Sequence, residues 1–343
     1  FDKGQYKSTE QPGFFANKHP NADLCIPCCF NRPNSSKQMK LREKCGAETW
    51  SPGMKRLTAK PSISKSKKTS VIKEGNKFPI DAGNWGHLPY SLYRFLEIPR
   101  GSFECNDDGN ICILRKGVEY NPKQSFIAAM ANIYSTEAHP PSIQEMKEII
   151  IEALTLDNFI TLQHGTLVEL FKTNTETKKI APYKNTSVYK KLIHTEIGKT
   201  YLKQIISAFH NFQSYLRDDT NENDYEYLWD IFSTPNPKLF PRGINLIIFD
   251  VLNNDITQNI AVTCPTNHYS KALWSANKKN ALILHKDGFF EPIFKRTKKS
   301  KNEIIIDRLF ALQGTAGEEY PWSLQAIVRK IGNTTKKKCL PLT

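Results

Sequence analysis

The sequence predicts an α+β protein: a loop-rich N-terminal module stapled by zinc, then helices, then a mainly antiparallel sheet. Three observations predict it. Four of the eight cysteines fall within the first 45 residues, in a segment without sustained periodicity. From Leu88 to Pro235, apolar residues recur at helical spacing. From Gly243 onward they give way to short runs of β-branched and aromatic residues with turn residues between them. A hydrophobic content of 39% against 24% charged places the chain among folded proteins rather than disordered tails.

The order of segments sets the boundaries: a cysteine-rich module over 1–54, a flexible basic connector over 55–77, an α+β body over 78–331 and a frayed basic tail over 332–343. The module is rich in Gly, Pro and Asn, so it folds only if something staples it. The connector, "KRLTAKPSISKSKKTSVIKEGNK", is polar and almost free of large apolar groups.

In the body, Leu92, Phe95 and Leu96 predict a short helix within Leu88–Ile98. Ser102–Val118 reads as a hairpin turning at Asp107-Asp108-Gly109-Asn110. Phe126, Ile127, Met130 and Ile133 give Asn121–Tyr134 an apolar stripe. Ser142 and Glu145 form a capping box that starts the next helix, and a helical period continues to Phe171. A long helical pattern runs from Ser187 to Leu216, with a break expected at Gly198, and a shorter one covers Asp224–Pro235. Strands follow at "GINLIIFDV", "NIAVTC", "NALILH", "FFEPIFKR" and "NEIIIDRLF", with a tight turn at Asp287-Gly288. Pro321–Ile331 is the last amphipathic helix. The longest apolar run, Ile244–Leu252, is strand-sized and far short of the roughly 20 residues of a membrane helix, so no membrane is expected as a partner. No charged-then-apolar leader follows Phe1, so a signal peptide is not expected. A chain that opens on Phe1 is expected to be a piece of a longer one.

Without a secretory signal, scattered cysteines are expected to be reduced thiols, and metal outranks disulfide. Cys25-x-x-Cys28 has zinc-knuckle spacing, in which a tight turn aims two thiolates at one ion. Cys45 follows Cys29 after fifteen intervening residues, close to the usual offset of a second half-site. Cys25, Cys28, Cys29, Cys45 and His19 are therefore the candidate ligands of a structural zinc. The fourth ligand stays open, since Cys45 has no partner three residues away. Thiolate ligation also suits iron–sulfur, and the spacing does not separate the two. A Cys28–Cys29 bond would close a strained ring, and Pro27 in a loop setting does not match a thioredoxin-like site.

The net charge is +14, and Asn31–Lys77 holds 13 Lys or Arg against three Glu. Such a patch fits an anionic partner, nucleic acid first, with a solubilising linker as the plain alternative. The candidate phosphate contacts are Lys55, Arg56, Lys60, Lys65, Lys67, Lys68, Lys73 and Lys77. Trp85, Tyr90, Tyr93 and Phe95 follow directly and are candidates to stack on bases, or core.

Enzymatic chemistry is poorly supported. There is no Walker A motif and no HExxH. A helix opening at Ser125 with a distal "FFEPI" hairpin follows the chain order of papain-like and ovarian-tumour-type cysteine peptidases. Serine stands at the nucleophile position and Phe289 where such a hairpin would carry histidine, leaving His268 and His285 elsewhere. That pattern reads as a degenerate, catalytically dead version of the fold. Asp250 and Glu291 are the candidate carboxylates of a metal-dependent nuclease, without the D…ExK spacing that would support one.

Four stretches together, "QPGFFANKHPNADLCIPCCF", "WGHLPYSLYRFLEI", "LRKGVEYNPKQSFIAAMANIY" and "YLWDIFSTPNPKLFPRGINLIIF", resemble the homologues of the poxvirus early transcription factor large subunit encoded by nucleocytoplasmic large DNA viruses. The resemblance spans about Gln11 to Phe249, and the cysteine block is its most specific part. It implies a non-enzymatic subunit of an early transcription initiation factor that binds double-stranded DNA. It also implies pairing with a small ATPase subunit, recruitment of the viral RNA polymerase, and residence in the cytoplasmic viral factory and the virion. Only Cys25, Cys28, Cys29 and Cys45 match the family's cysteine pattern. The remaining readings are a virion assembly protein on a dead peptidase-like scaffold, and the nuclease.

Overall fold

The computed structural model describes residues 13–15, 26–28, 72–73, 75, 77–98, 111–136, 139–173, 179–252, 259–265, 273–298, 303–312 and 322–339. The chain forms two compact units, Phe1–Lys67 and Lys68–Thr343. In the first, β1 (Gly13–Phe15) and β2 (Ile26–Cys28) pair antiparallel, with Gly13 opposite Cys28. The second has α+β architecture, as expected.

Its sheet has seven strands. They are β3 (Trp85–His87), β4 (Ile111–Lys116), β5 (Ile244–Leu252), β6 (Asn259–Val262), β7 (Lys279–Lys286), β8 (Phe289–Lys298) and β9 (Ile304–Asp307). Their order is β3-β4-β8-β7-β5-β6, with β9 also pairing β8. Every named pair is antiparallel except β5–β7, which makes the sheet mixed. The Asp287-Gly288 turn joins β7 to β8 as the sequence predicts. Both residues have positive φ (50° and 74°), the two-residue turn whose twist matches that of the strands.

Nine α-helices lie among the described residues: α1 (Tyr90–Phe95), α2 (Ser125–Tyr134), α3 (Ile143–Ala153), α4 (Leu156–Phe159), α5 (Thr166–Phe171), α6 (Ser187–Leu192), α7 (Glu196–Arg217), α8 (Tyr225–Ser233) and α9 (Trp322–Lys338). α3 starts on the expected capping box. The Ser142 hydroxyl accepts from the Glu145 amide, and the Glu145 carboxylate accepts from the Ser142 amide. The long 187–216 pattern breaks before Gly198, where Thr195 caps α7.

Alternation along the strands sends two sets of side chains to opposite faces. Leu246, Ile248, Ala281, Ile283 and Phe294 pack with α2–α8 in the larger core. Ile247, Phe249, Leu282, Leu284 and Ile293 pack under Leu92 of α1 and Leu324, Val328 and Ile331 of α9. The sheet therefore lies between two helical layers.

Three expectations need correction. The 332–343 segment is helical through Lys338 rather than frayed. Gly332, which reads as a helix stop, lies flat against Trp274, where a Cβ would sit 1.8 Å from the indole. Lys336, Lys337 and Lys338 then complement the negative end of the helix dipole. The scattered cysteines are not all thiols: Cys264, just after β6, is bonded to Cys339, just after α9, and Cys112 is also disulfide-bonded. The body begins before Phe78, because Lys73 bridges Gly86 of β3 and exchanges backbone hydrogen bonds with Trp85 and His87. Of the Ser102–Val118 hairpin, the first strand and turn lie outside the described residues. The second strand is β4, whose described partners are β3 and β8.

Candidate nucleic-acid interface

The predicted zinc ligands Cys25, Cys29, Cys45 and His19 lie outside the described residues. Cys28 is described only as the last residue of β2. Among the described residues no group of three or more His, Cys, Asp or Glu side chains is placed to hold a metal. Of the predicted phosphate contacts, Lys55, Arg56, Lys60, Lys65, Lys67 and Lys68 also lie outside. Lys73 is held by its backbone as above. Lys77 is exposed, pairs with Asp81 at 3.3 Å, and gives its carbonyl to Arg115. The stacking candidates divide. Trp85 and Tyr93 are core residues, the Tyr93 hydroxyl donating to the Ile113 carbonyl at 3.0 Å, while Tyr90 is 62% exposed.

α9 presents an exposed basic face. Its outward face carries Arg329, Lys330, Lys337 and Lys338, with Ala326, Asn333 and Thr334 between them, along an open groove of about 400 Å³. The spacing follows from helical periodicity: Leu324, Val328 and Ile331 face the sheet, so the residues between them face solvent. Pro321–Thr343 contains no Asp or Glu, so nothing on the helix neutralises the stripe. The Cys264–Cys339 bond, Cα atoms 5.3 Å apart, ties the end of this helix to the sheet. Sequence reasoning saw the lysines as a loose tail; the absence of acid across 23 residues was the available signal.

The peptidase-like arrangement can be read directly. Ser125 opens α2 and is buried against β8, its Oγ accepting from the Phe290 amide at 3.2 Å. Phe289, where a histidine would be needed, is 5% exposed and packs on Phe78 and Tyr120. His285 lies one strand further on. Its Nδ1 is 3.2 Å from Asp250 Oδ1 on β5, and its ring stacks on Phe290 at 4.2 Å. Burial lowers the His285 pKa, while Asp250, Asp287 and Glu222 pull it back up. No hydrogen bond joins Ser125 to a histidine among the described residues, so no nucleophile–base pair forms there. His268 lies outside the described residues.

Asp250 and Glu291 do not meet. The ladder puts Asp250, His285 and Phe290 on one face and Glu291, the neighbour of Phe290, on the other. Glu291 is fully buried against Arg115, Nη1 to Oε2 2.6 Å, and accepts from the Ile80 amide at 2.5 Å. Burial pushes its carboxyl up, and Arg115 and the Ile80 amide pull it back. A carboxylate engaged in this way has no position from which to share a metal with Asp250.

Comparison of the chain with protein-family models, with curated proteins and with solved structures gives no match. No helix among the described residues is long and apolar enough to cross a membrane.

Proposed function

We propose that the chain is a non-enzymatic, DNA-binding component of a viral early transcription initiation factor. The observation that carries this reading is the acid-free basic face of α9, held on the sheet by apolar packing and the Cys264–Cys339 bond. It adds to the basic connector and the net charge of +14. Lysine and arginine at these positions neutralise phosphates and give affinity with little sequence choice. A four-coordinate zinc, its ligands drawn from Cys25, Cys28, Cys29, Cys45 and His19, folds the N-terminal module. The family resemblance supplies the remaining partners: the viral RNA polymerase, which the factor recruits, and a small ATPase subunit. The same resemblance places the protein in the cytoplasmic viral factory and the virion.

Fluorescence anisotropy with duplex DNA tests the reading. Affinity should fall steeply between about 50 and about 200 mM salt, and Arg329→Gln/Lys330→Gln/Lys337→Gln/Lys338→Gln should reduce the log–log slope by roughly three to four. A flat salt response sinks the proposal. For the module, elemental analysis should find about one zinc per chain, lost in Cys25→Ser/Cys45→Ser; a metal-free chain removes the zinc staple. The burial of Ser125 against β8 favours a second reading, a virion assembly protein on a peptidase-like scaffold without chemistry. It expects self-association or capsid contacts and no salt-sensitive DNA binding, so the same titration separates the two.

A further inference from the structure

The basic face of α9 is not uniform. At about 3.6 residues per turn, Leu324, Val328, Ile331 and Thr335 fall on one side of the helix, and all four are buried. The residue most directly opposite them is Asn333, which is exposed. Arg329 and Lys330 lie four and three positions before it, and Lys336 and Lys337 three and four positions after it. Residues at those spacings are neighbours on a helix surface, and all four cations are exposed. An uncharged amide therefore stands inside a frame of four positive charges.

The groove on this face is lined by no carboxylate. Arg329 donates to the Leu312 carbonyl at 3.4 Å, which holds one corner of the frame. The Asn333 amide has no hydrogen-bond partner among the described residues, so it faces solvent. A surface that only gathers phosphates would gain from another cation at its centre. Asparagine offers instead one acceptor and two donors. These match the N6 amino group and N7 of adenine, which stand side by side in the major groove of a duplex. The dimensions agree. From Arg329 to Lys337 the helix rises about 12 Å, close to the major-groove width of about 12 Å. Cations at both ends then reach the phosphates that border the groove, with Asn333 over the base edges between them. A lipid surface fits less well, because the apolar side of α9 is already taken up by the sheet.

We infer that α9 is a major-groove reading helix. Asn333 selects adenine through a bidentate hydrogen bond, and Arg329, Lys330, Lys336 and Lys337 hold the phosphates on either side. This rests on the DNA-binding reading, and adds to it the groove entered and the residue that chooses a base.

Selection from a randomised duplex pool by the full chain, wild type against Asn333→Ala, tests this, with anisotropy on the enriched duplex. The wild type should enrich a site with a fixed adenine. Changing that base pair should weaken binding by about five- to hundredfold, and an adenine analogue with carbon in place of N7 should also weaken it. Both losses should vanish in Asn333→Ala. Its salt slope should stay that of the wild type, because no phosphate contact is removed, and an unchanged slope also shows that the variant is folded. Lys336→Gln should do the reverse, lowering the slope by about one and keeping the preference for adenine. Duplex binding without an enriched adenine, or a preference that persists in Asn333→Ala, overturns the inference and leaves the DNA-binding reading standing. A chain that binds no duplex sinks both, and one that binds phosphatidylserine vesicles instead assigns the face to a membrane.

Discussion

Arg115→Met should be among the most damaging single changes in the body. The guanidinium is fully buried, and four acceptors converge on it. Nη1 donates to Glu291 Oε2 at 2.6 Å and Nε to the His87 carbonyl at 2.7 Å; Nη2 serves the carbonyls of Gly75, at 3.2 Å, and Lys77. Methionine fills much of the same space, so the loss is mainly electrostatic. It leaves Glu291 buried with the Ile80 amide as its described donor. Removing one partner of a buried pair costs about 3–5 kcal/mol, because the survivor stays unneutralised. For a body of this size that is a fall in Tm of about 6–10 °C. Circular dichroism melts and urea titrations of Arg115→Met, Glu291→Leu and the double variant measure it. The double variant should be less damaged than the sum of the singles, and less than Arg115→Met alone, since it leaves no buried charge. A cost below about 1 kcal/mol for Arg115→Met, or strict additivity in the cycle, would refute this account of how 72–80 is held to the sheet.

Two further outcomes are expected. Asp224 caps α8 through the Glu226 amide, and burial, with help from Glu226 and Glu222, raises its pKa to about 6. A carboxyl raised in the folded state keeps its proton there while the unfolded chain has lost it. Its contribution to stability therefore falls as pH rises from about 4 to about 6. Asp224→Asn should flatten that part of the pH–stability curve measured by urea unfolding; an unchanged curve would clear Asp224 of the effect. Reducing the Cys264–Cys339 bond, which spans a sequence separation of 75, should cost about 2–4 kcal/mol. Melts with and without dithiothreitol, against Cys264→Ser/Cys339→Ser, check it: the reductant should have no effect through this bond in the double serine variant.

Local signals and spatial results part company at identifiable residues. The Ser142–Glu145 capping box, the Asp287-Gly288 turn and the stripe Phe126–Met130–Ile133 act within a few residues, so each could be read from the chain alone. The two-sided burial of β5 and β7 accompanies the continuous apolar runs Leu246–Phe249 and Ala281–Leu284, whereas β8 is buried on both faces despite Glu291, Lys295 and Arg296 within it. Residues far apart in the chain met by a rule no local pattern contains. Arg115 finds Glu291 across 176 positions, and Ser125 finds Phe290 across 165. The parallel β5–β7 pairing was likewise invisible. α9 shows the opposition most directly. Its sequence argues for an end at Gly332 and a loose lysine tail, whereas the apolar face beneath it, the Trp274 ring and the bond at Cys339 carry the helix on to Lys338. The α+β class, the main helix starts, most of the strands and the concentration of positive charge are legible in the chain, because these depend on composition and on near neighbours. Only the packed molecule decides which charges are buried and paired and which form an outward face, because burial and field are sums over everything packed around a residue.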